Sequence, residues 1–478
     1  MLCRLARIVA VAVSLMAVRL AASVETAADC AEPQTRPNVL FILADDLRAD
    51  GLHALGAPIV KTPNLDRLVE AGFRFRCAYT QGSNVGAVCL PSRTMIQTGQ
   101  SYLHPRRDVP SWAQTVRGAG YASIRSGKFG NNPNSLDADF DQHLDGENAQ
   151  GNADNLIAFI RQHAGRKPLF LYMASPEPHD PQFAPPEYYA MYKPAEMPMP
   201  VNFLPFHPFD NGEMTVRDEM TLPWPRTREN LSRKLARYCA STAYLDAQVG
   251  RVLEALRETG QWENTLFIVA GDNGLSLGEH GLLGKQDLYE FGGMHVPLVF
   301  SGKGVPKGDS HALAYLYDLY PTMCEWCGVN VPHGLDGKSL APVLLGKTAK
   351  VRDWTMTAYR DVQRAIRNDR WKLIRYPQID KTQLFDLHTD PREMNDLAGK
   401  PEYAGRIKEL TARLQEQQRA FGDECPLSVP QPREAAWSPA KLTVQDLAAQ
   451  REETAVSAGE KARKRGSAKP KPRVRGGK

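Results

Sequence analysis

Short runs of continuous apolar residues alternate with stretches of helical spacing along the first two thirds of the chain. The run NVLFILA (38–44) holds no polar residue after Asn38, so it fits a strand covered on both faces. In KTPNLDRLVEAGFRF, Thr62 is placed to cap a helix, Pro63 suits its first turn and Gly72 can end it, with Leu65, Leu68 and Val69 on the buried side. The order repeats as a helix near 112–117, a strand at 121–124, a helix at 156–161 and a strand at 169–173. A long helical pattern over 231–258 carries Leu235, Leu245, Val249, Val252 and Leu256, then leads into LFIVA (266–270). This alternation predicts an α/β fold, a mostly parallel sheet sandwiched by helices.

Beyond about Val351 the pattern changes. AIRNDRWKLIRYP and TQLFDLHTDPREMNDLA read as short antiparallel strands and a turn, and RIKELTARLQEQQRAF as a helix packing back on the rest. The chain of 478 residues is too long for one hydrophobic core. We divide it into a main domain (36–350), a small C-terminal α+β subdomain (351–421), and a proline-rich linker with a basic tail (422–478). Residues 1–23 have the layout of a signal peptide: Arg4 and Arg7 precede an apolar run that ends in small residues. A secreted or periplasmic protein follows, and no later run is long and apolar enough to span a bilayer in the mature chain.

Net charge belongs to the tail. Residues 461–478 hold nine Lys or Arg and no acid, and without them the formal charge of +5 becomes −4. Such a segment has little apolar surface to bury and is expected to be solvated. Nothing else points to nucleic acid as a partner.

In a parallel sheet, ligands bind beyond the carboxyl ends of the strands. NVLFILA runs into Asp45 and Asp46, and LFIVAG runs into Asp272 and Asn273. Three carboxylates and an amide at one sheet edge suit a hard divalent cation, Ca2+ or Mg2+. Without such an ion they would repel one another and raise their own pKa values. A second signal lies in GSNVGAVCLPSRTMIQTG (82–99). Its Cys89 has small, polar and cationic neighbours and opens a predicted helix, whose N-terminus favours anions. Arg93, four residues on, returns to the same face.

The C-x-P-S-R formed by Cys89, Pro91, Ser92 and Arg93 resembles the signature of the type I sulfatases, of the alkaline-phosphatase-like superfamily. The likeness includes carbohydrate sulfatases of the iduronate-sulfatase type and runs over roughly 36–397. It implies that a formylglycine-generating maturation system oxidises Cys89 and that the hydrated aldehyde is the nucleophile. It further implies that Asp45, Asp46, Asp272, Asn273 and residue 89 itself hold a metal, usually calcium. Arg93 would orient the nucleophile, while Lys128 (in SGKFG) and Lys285 (in HGLLGKQDLYE) would bind the sulfate. His179 (in PEPHDP) or Lys285 would protonate the leaving oxygen, with His280 among the substrate contacts and Glu290 supporting Lys285.

The resemblance implies a secreted enzyme that hydrolyses sulfate esters, on a sulfated carbohydrate. A phosphonate or phosphodiester hydrolase, or a sulfamidase, of the same superfamily would share much of the pattern. A glycan-binding protein without turnover is a rival of another class. It would suit one departure: the family reads G-K-x-H around its first lysine, and Gly130 stands here where that histidine belongs. Asn131, Asn132, His104 and His143 are the candidates to fill the role. In PAEMPMPVNFLPFHPFDNGEM (194–214), His207, Phe203, Phe206 and Phe209 are candidate sugar contacts. With Cys3 in the signal and Cys89 modified, six cysteines remain (Cys30, Cys77, Cys239, Cys324, Cys327 and Cys425), and fifteen pairings are open. The CxxC of Cys324 and Cys327 lacks a second pair at metal spacing and reads as core thiols or a local disulfide.

Overall fold

In the computed structural model, which describes residues 36–104, 107–128 and 136–439, the run Asn38–Asp45 is strand β1 and every one of its residues is buried. Leu40, Ile42 and Ala44 enter one hydrophobic core, while Val39, Phe41 and Leu43 enter another. The period of two thus sends apolar side chains to both faces of the sheet. Full burial of one Leu, Ile or Phe side chain is worth about 1.5–3 kcal/mol, which is why no polar residue interrupts the run.

Helix α1 (Pro63–Ala71) buries Leu65, Leu68 and Val69, the side the spacing predicts. Thr62 stands at its N-cap, but its hydroxyl donates to Asp66 at 3.0 Å and accepts the His53 amide instead of capping. Strands β2 (Phe73–Tyr79) and β3 (Gly82–Ser83) precede helix α2 (Cys89–Thr98), which Gly99 closes in the left-handed region at φ 65°. Next come α3 (Trp112–Gly118), β4 (Ala122–Gly127), β5 (Gln142–Leu144), α4 (Ala149–His163) and β6 (Leu169–Pro178). The long helix α5 (Arg228–Glu258) has a true cap, the Thr227 side chain accepting the Asn230 amide, and leads to β7 (Thr265–Gly271). Strands β8 (His295–Gly302) and β9 (Gly308–Tyr315) complete the first sheet.

Its order is β5-β4-β6-β1-β7-β8-β2-β9, parallel everywhere except at β8, which runs antiparallel to β7 and β2. The pattern of apolar residues did not separate β2, β8 and β9 from their surroundings. In β2 the apolar positions alternate with Arg74 and Arg76, which pair with Asp309 of β9 at the sheet edge. A smaller sheet holds β10 (Thr355–Tyr359), β11 (Gln363–Arg367), β12 (Trp371–Tyr376) and β13 (Lys381–Asp386), in the order β13-β12-β11-β10-β3. It is antiparallel save for the β10–β3 contact, so the residues just ahead of α2 are stitched to the C-terminal segment. Helix α6 (Ala404–Phe421) buries Leu410 and Leu414 in one cluster with Met356, Ile366 and Leu373 of this sheet.

Among the described residues Cys77, Cys89, Cys239, Cys324, Cys327 and Cys425 are free thiols, and Cys30 lies outside those residues. Cys324 and Cys327 are buried core thiols, and burial pushes Cys324 up to about 12. No described helix is long and apolar enough to cross a membrane.

Candidate active site

Strands β4, β6, β1 and β7 are neighbours and run parallel, so their carboxyl ends lie at one edge. β1 and β7 are in register from Asn38 opposite Thr265 to Ala44 opposite Gly271. Asp45 and Asp46 therefore emerge beside Asp272 and Asn273. His179 follows β6 directly and Lys128 follows β4. Helix α2 brings Cys89 at its first residue and Arg93 one turn later.

These side chains form one bonded cluster. The Arg93 Nε donates to Asp272 Oδ2 at 2.7 Å, and its Nη2 lies 3.5 Å from Asp45 Oδ2. Lys128 Nζ pairs with Asp45 and stands 3.6 Å from Cys89 Sγ. Asp46 Oδ1 accepts both Lys285 Nζ and Asn273 Nδ2 at 2.7 Å. Asp272 Oδ1 accepts the backbone amides of Asp46 (3.1 Å) and Asn273 (2.8 Å), and its carbonyl accepts the Ser92 hydroxyl at 2.5 Å. His179 Nε2 approaches Asp46 Oδ2 to 3.8 Å, with its Nδ1 facing the Asp180 carbonyl at 2.7 Å. Asp46 itself adopts the left-handed region at φ 66°, which Asp tolerates better than most residues.

Electrostatics divide the carboxylates. Burial works against ionisation of Asp45, but Lys128, His179, Arg93 and Lys285 outweigh it and hold the group well below the usual carboxylate range. Burial and the Asp45 charge push Asp272 up. Burial also pulls both lysines down, yet Asp45 raises Lys128 and Asp46 raises Lys285, so both stay cationic. The Cys89 thiol is pushed up by burial and then by Asp45, which makes it a poor nucleophile as a thiol.

The donor set fits a divalent cation. Asp45 Oδ1 and Asn273 Oδ1 are buried acceptors with no hydrogen-bond partner. One potential ligand atom each from Asp45, Cys89 and Asp272 lies within 4.8 Å of the others, and the same holds for Asp45, Asp46 and His179. Hard oxygens dominate, as Ca2+ and Mg2+ prefer.

Several expected contacts lie elsewhere. The His280 ring stacks on Tyr289 with centroids 3.9 Å apart, its Nε2 meets Asn202 Nδ2 at 3.1 Å, and burial brings it down to about 3, so it is neutral. Glu290 pairs with Arg367 and Lys372, not with Lys285. His207 is buried against the His280 carbonyl (2.8 Å) and Phe209 packs edge-on against Tyr376, so neither is free for a sugar. Phe206 remains exposed, and Phe203 lies under the Arg228 guanidinium. His104 bonds Asp336 and the Ala420 carbonyl, and His143 is exposed on β5. Gly130, Asn131 and Asn132 lie outside the described residues.

Sequence reasoning passed over Arg217, Asp218 and Gln286. Arg217 Nη2 reaches His179 Nε2 at 3.2 Å, and Gln286 Nε2 donates to Asp218 Oδ2 at 2.8 Å. Arg217 and Asp218 come from the irregular segment before α5, where no period marks a residue as inward.

Residues 37–329 match the family described as Sulfatase, and residues 278–420 match N-sulphoglucosamine sulphohydrolase, C-terminal. The chain belongs to the sulfatase family. As a sulfatase it is a sulfuric ester hydrolase, and the bonded cluster lies within the matched span. It is similar to the N-acetylglucosamine-6-O-sulfatase of Bacteroides thetaiotaomicron, at 26% identity over 84% of this chain and 90% of that protein. An ulvan-active sulfatase of Formosa agariphila is 25% identical over 81% of each chain. Solved structures share the alkaline-phosphatase-like fold. A phosphonate monoester hydrolase from Silicibacter pomeroyi aligns with TM-score 0.69 at 24% identity, over 81% of this chain and 96% of that one. A chain in complex with its substrate D-glucosamine-2-N,6-O-disulfate aligns with TM-score 0.68 at 23% identity, over 82% and 99%.

Proposed function

We propose that this sulfatase hydrolyses a sulfate ester on a sulfated carbohydrate, with residue 89 matured to formylglycine and Ca2+, or Mg2+, held by Asp45, Asp46, Asp272 and Asn273. The observation that carries the reading is the meeting of Cys89, at the start of α2, with the residues that four adjacent parallel strands deliver: Lys128 Nζ stands 3.6 Å from its Sγ, and Asp45 and Asp272 share its cluster. The carbohydrate rests on the relatives: one acts on N-acetylglucosamine 6-sulfate by name, and another chain was solved with a sulfated glucosamine.

When matured and hydrated, residue 89 would supply an oxygen nucleophile and a neighbouring hydroxyl; a bound divalent ion would supply positive charge to the sulfuryl oxygens. The remaining work falls to the chain. Lys128 and Lys285 bring cations to the rim of residue 89, where negative charge grows as the S–O bond breaks. Arg93 fixes Asp272 and turns the first turn of α2 toward it. His179 keeps Nδ1–H on the Asp180 carbonyl and Nε2 toward Arg217 Nη2 at 3.2 Å. It can give a proton to the sugar oxygen, as that oxygen takes the bond's electron pair, only once Nε2 has left the guanidinium and taken up that proton; Lys285 is the alternative donor. Residues 1–23 would direct export, and the formylglycine-generating system is the maturation partner.

The experiment is sulfate release by protein co-produced with that system, from N-acetylglucosamine 6-sulfate, from glucosamine 2-N,6-O-disulfate and, in parallel, from an aryl phosphonate monoester. Faster turnover of the 6-sulfates is expected. Preferential cleavage of the phosphonate would overturn the reading, and release of the N-sulfate alone would redirect it to a sulfamidase.

A further inference from the structure

Arg217 belongs to none of the motifs, yet its guanidinium is fixed at the mouth of the cluster. Its Nε and Nη2 donate to Asp218 Oδ1 at 2.9 and 2.6 Å. Asp218 is almost wholly buried, and its other oxygen accepts Gln286 Nε2 at 2.8 Å. The Gln286 side-chain oxygen in turn accepts the Lys285 amide at 3.0 Å. The arginine is thus tied, through two side chains, to the backbone of a sulfate-binding candidate. Its own side chain remains 49% exposed.

Position and charge both give this guanidinium a task outside the sulfuryl group. Nη2 lies 3.2 Å from His179 Nε2, the atom that would face the leaving sugar oxygen, whereas Lys128 and Lys285 reach the carboxylates beneath. The other carboxylates in its field have cations of their own: Asp46 has Lys285 at 2.7 Å, and Asp180 has Lys234 at 2.9 Å. Asp218 alone answers Arg217, and it lies in the field of Lys285 as well. One carboxylate therefore serves two cations, and Nη1 makes no protein hydrogen bond among the described residues. A planar, permanently charged guanidinium with Nη1 free, and Nη2 able to turn from His179 to a ligand, matches a carboxylate or sulfate better than a hydroxyl.

We infer that Arg217 reads a second anionic group on the sugar that carries the scissile sulfate, either a carboxylate or another sulfate. The inference rests on the carbohydrate sulfatase reading and narrows it to acidic glycans.

Calorimetric affinities test it, measured in a Cys89→Ala background so that no ligand turns over. The ligands are N-acetylglucosamine 6-sulfate, glucosamine 2-N,6-O-disulfate and a 2-O-sulfated hexuronic acid. Arg217→Gln is expected to weaken one doubly anionic ligand about 10–100-fold more than the singly anionic one, the worth of a hydrogen bond to a charged group. Which ligand responds separates sulfate from carboxylate. Arg217→Lys, which keeps the charge and loses the fork, should recover part of the preference; melting curves check that each variant is folded. Equal weakening of all three ligands, or none, would overturn the assignment. If the parent with Arg217 intact binds none of them, the carbohydrate reading itself falls, and the inference with it.

Discussion

Lys285 and Glu290 stand on the same loop, yet they end in two different buried clusters of charge. Around Glu290 the protein supplies every partner: Lys372 donates to Oε1 at 2.9 Å, Arg367 to Oε2 at 2.8 Å and the Tyr79 hydroxyl to Oε2 at 2.6 Å. Lys372 also reaches Glu393 at 2.9 Å. Around Lys285 the same kinds of group are left open, with Asp45 Oδ1 and Asn273 Oδ1 unpartnered and Arg217 facing the mouth. A closed network ties strand β2 of the large sheet to β11 and β12 of the small one. An open one keeps acceptors and cations for a ligand, at a cost in burial that only ligand binding offsets. Both clusters are rich in buried charge, and the difference lies in what the acceptors without a hydrogen bond face. Glu393 Oε1 in the closed cluster has Lys372 Nζ at 2.9 Å, whereas the open cluster leaves two ligand-type oxygens, Asp45 Oδ1 and Asn273 Oδ1.

Removing the nucleophile should separate the two most sharply. Cys89→Ala is expected to lower sulfate release by on the order of a thousandfold or more while the melting temperature barely moves. A large fall in melting temperature would show that residue 89 has a structural role after all. Glu290→Ala should do the reverse. It removes the carboxylate from Arg367 and leaves Lys372 with Glu393 alone, costing about 3–5 kcal/mol in chemical denaturation, with turnover per folded molecule kept. Lys285→Ala is expected to reduce kcat by roughly 10²–10³-fold. A change confined to KM would mean that the lysine only holds the ground state.

Two smaller effects refine the comparison. Adding Ca2+ to chelator-treated protein should raise the melting temperature saturably, and Asp45→Asn should reduce that gain; no response to Ca2+ or Mg2+ would remove the metal from the account. Asp287 is buried with no ion pair among the described residues, its carboxylate accepting the Ser276 hydroxyl and the Tyr289 amide, and burial outweighs the distant Lys372 charge and pushes it up to about 7. A folded value above the unfolded one means that its contribution to stability is full below about pH 4 and is lost as the pH rises through 7. Unfolding free energies from pH 5 to 8 should therefore fall less steeply in Asp287→Asn than in the parent.

The open cluster was legible because the elements that deliver it are. β1 and β7 are buried on both faces, so an apolar run ends abruptly at Asp45 and again at Asp272. α2 begins at the motif cysteine itself. The closed cluster left no such mark. Tyr79 lies at the end of β2, whose alternation with arginines hides a strand, and Arg367 and Lys372 look like ordinary charges on short antiparallel strands. His280 and His207 follow the same logic in reverse. Both looked free in an irregular loop, and both are fixed by tertiary contacts with Tyr289, Asn202 and backbone carbonyls that no local spacing encodes. Arg217 and Asp218 were invisible for that reason too, since only the packed segment ahead of α5 turns Arg217 toward His179 and Asp218 toward Gln286.

The most direct test of the central claim is the mass of the peptide containing residue 89, taken from protein that is releasing sulfate from N-acetylglucosamine 6-sulfate. The account predicts the loss that accompanies conversion of a thiol to an aldehyde, in proportion to specific activity across preparations. Full activity with an intact Cys89 thiol would contradict it.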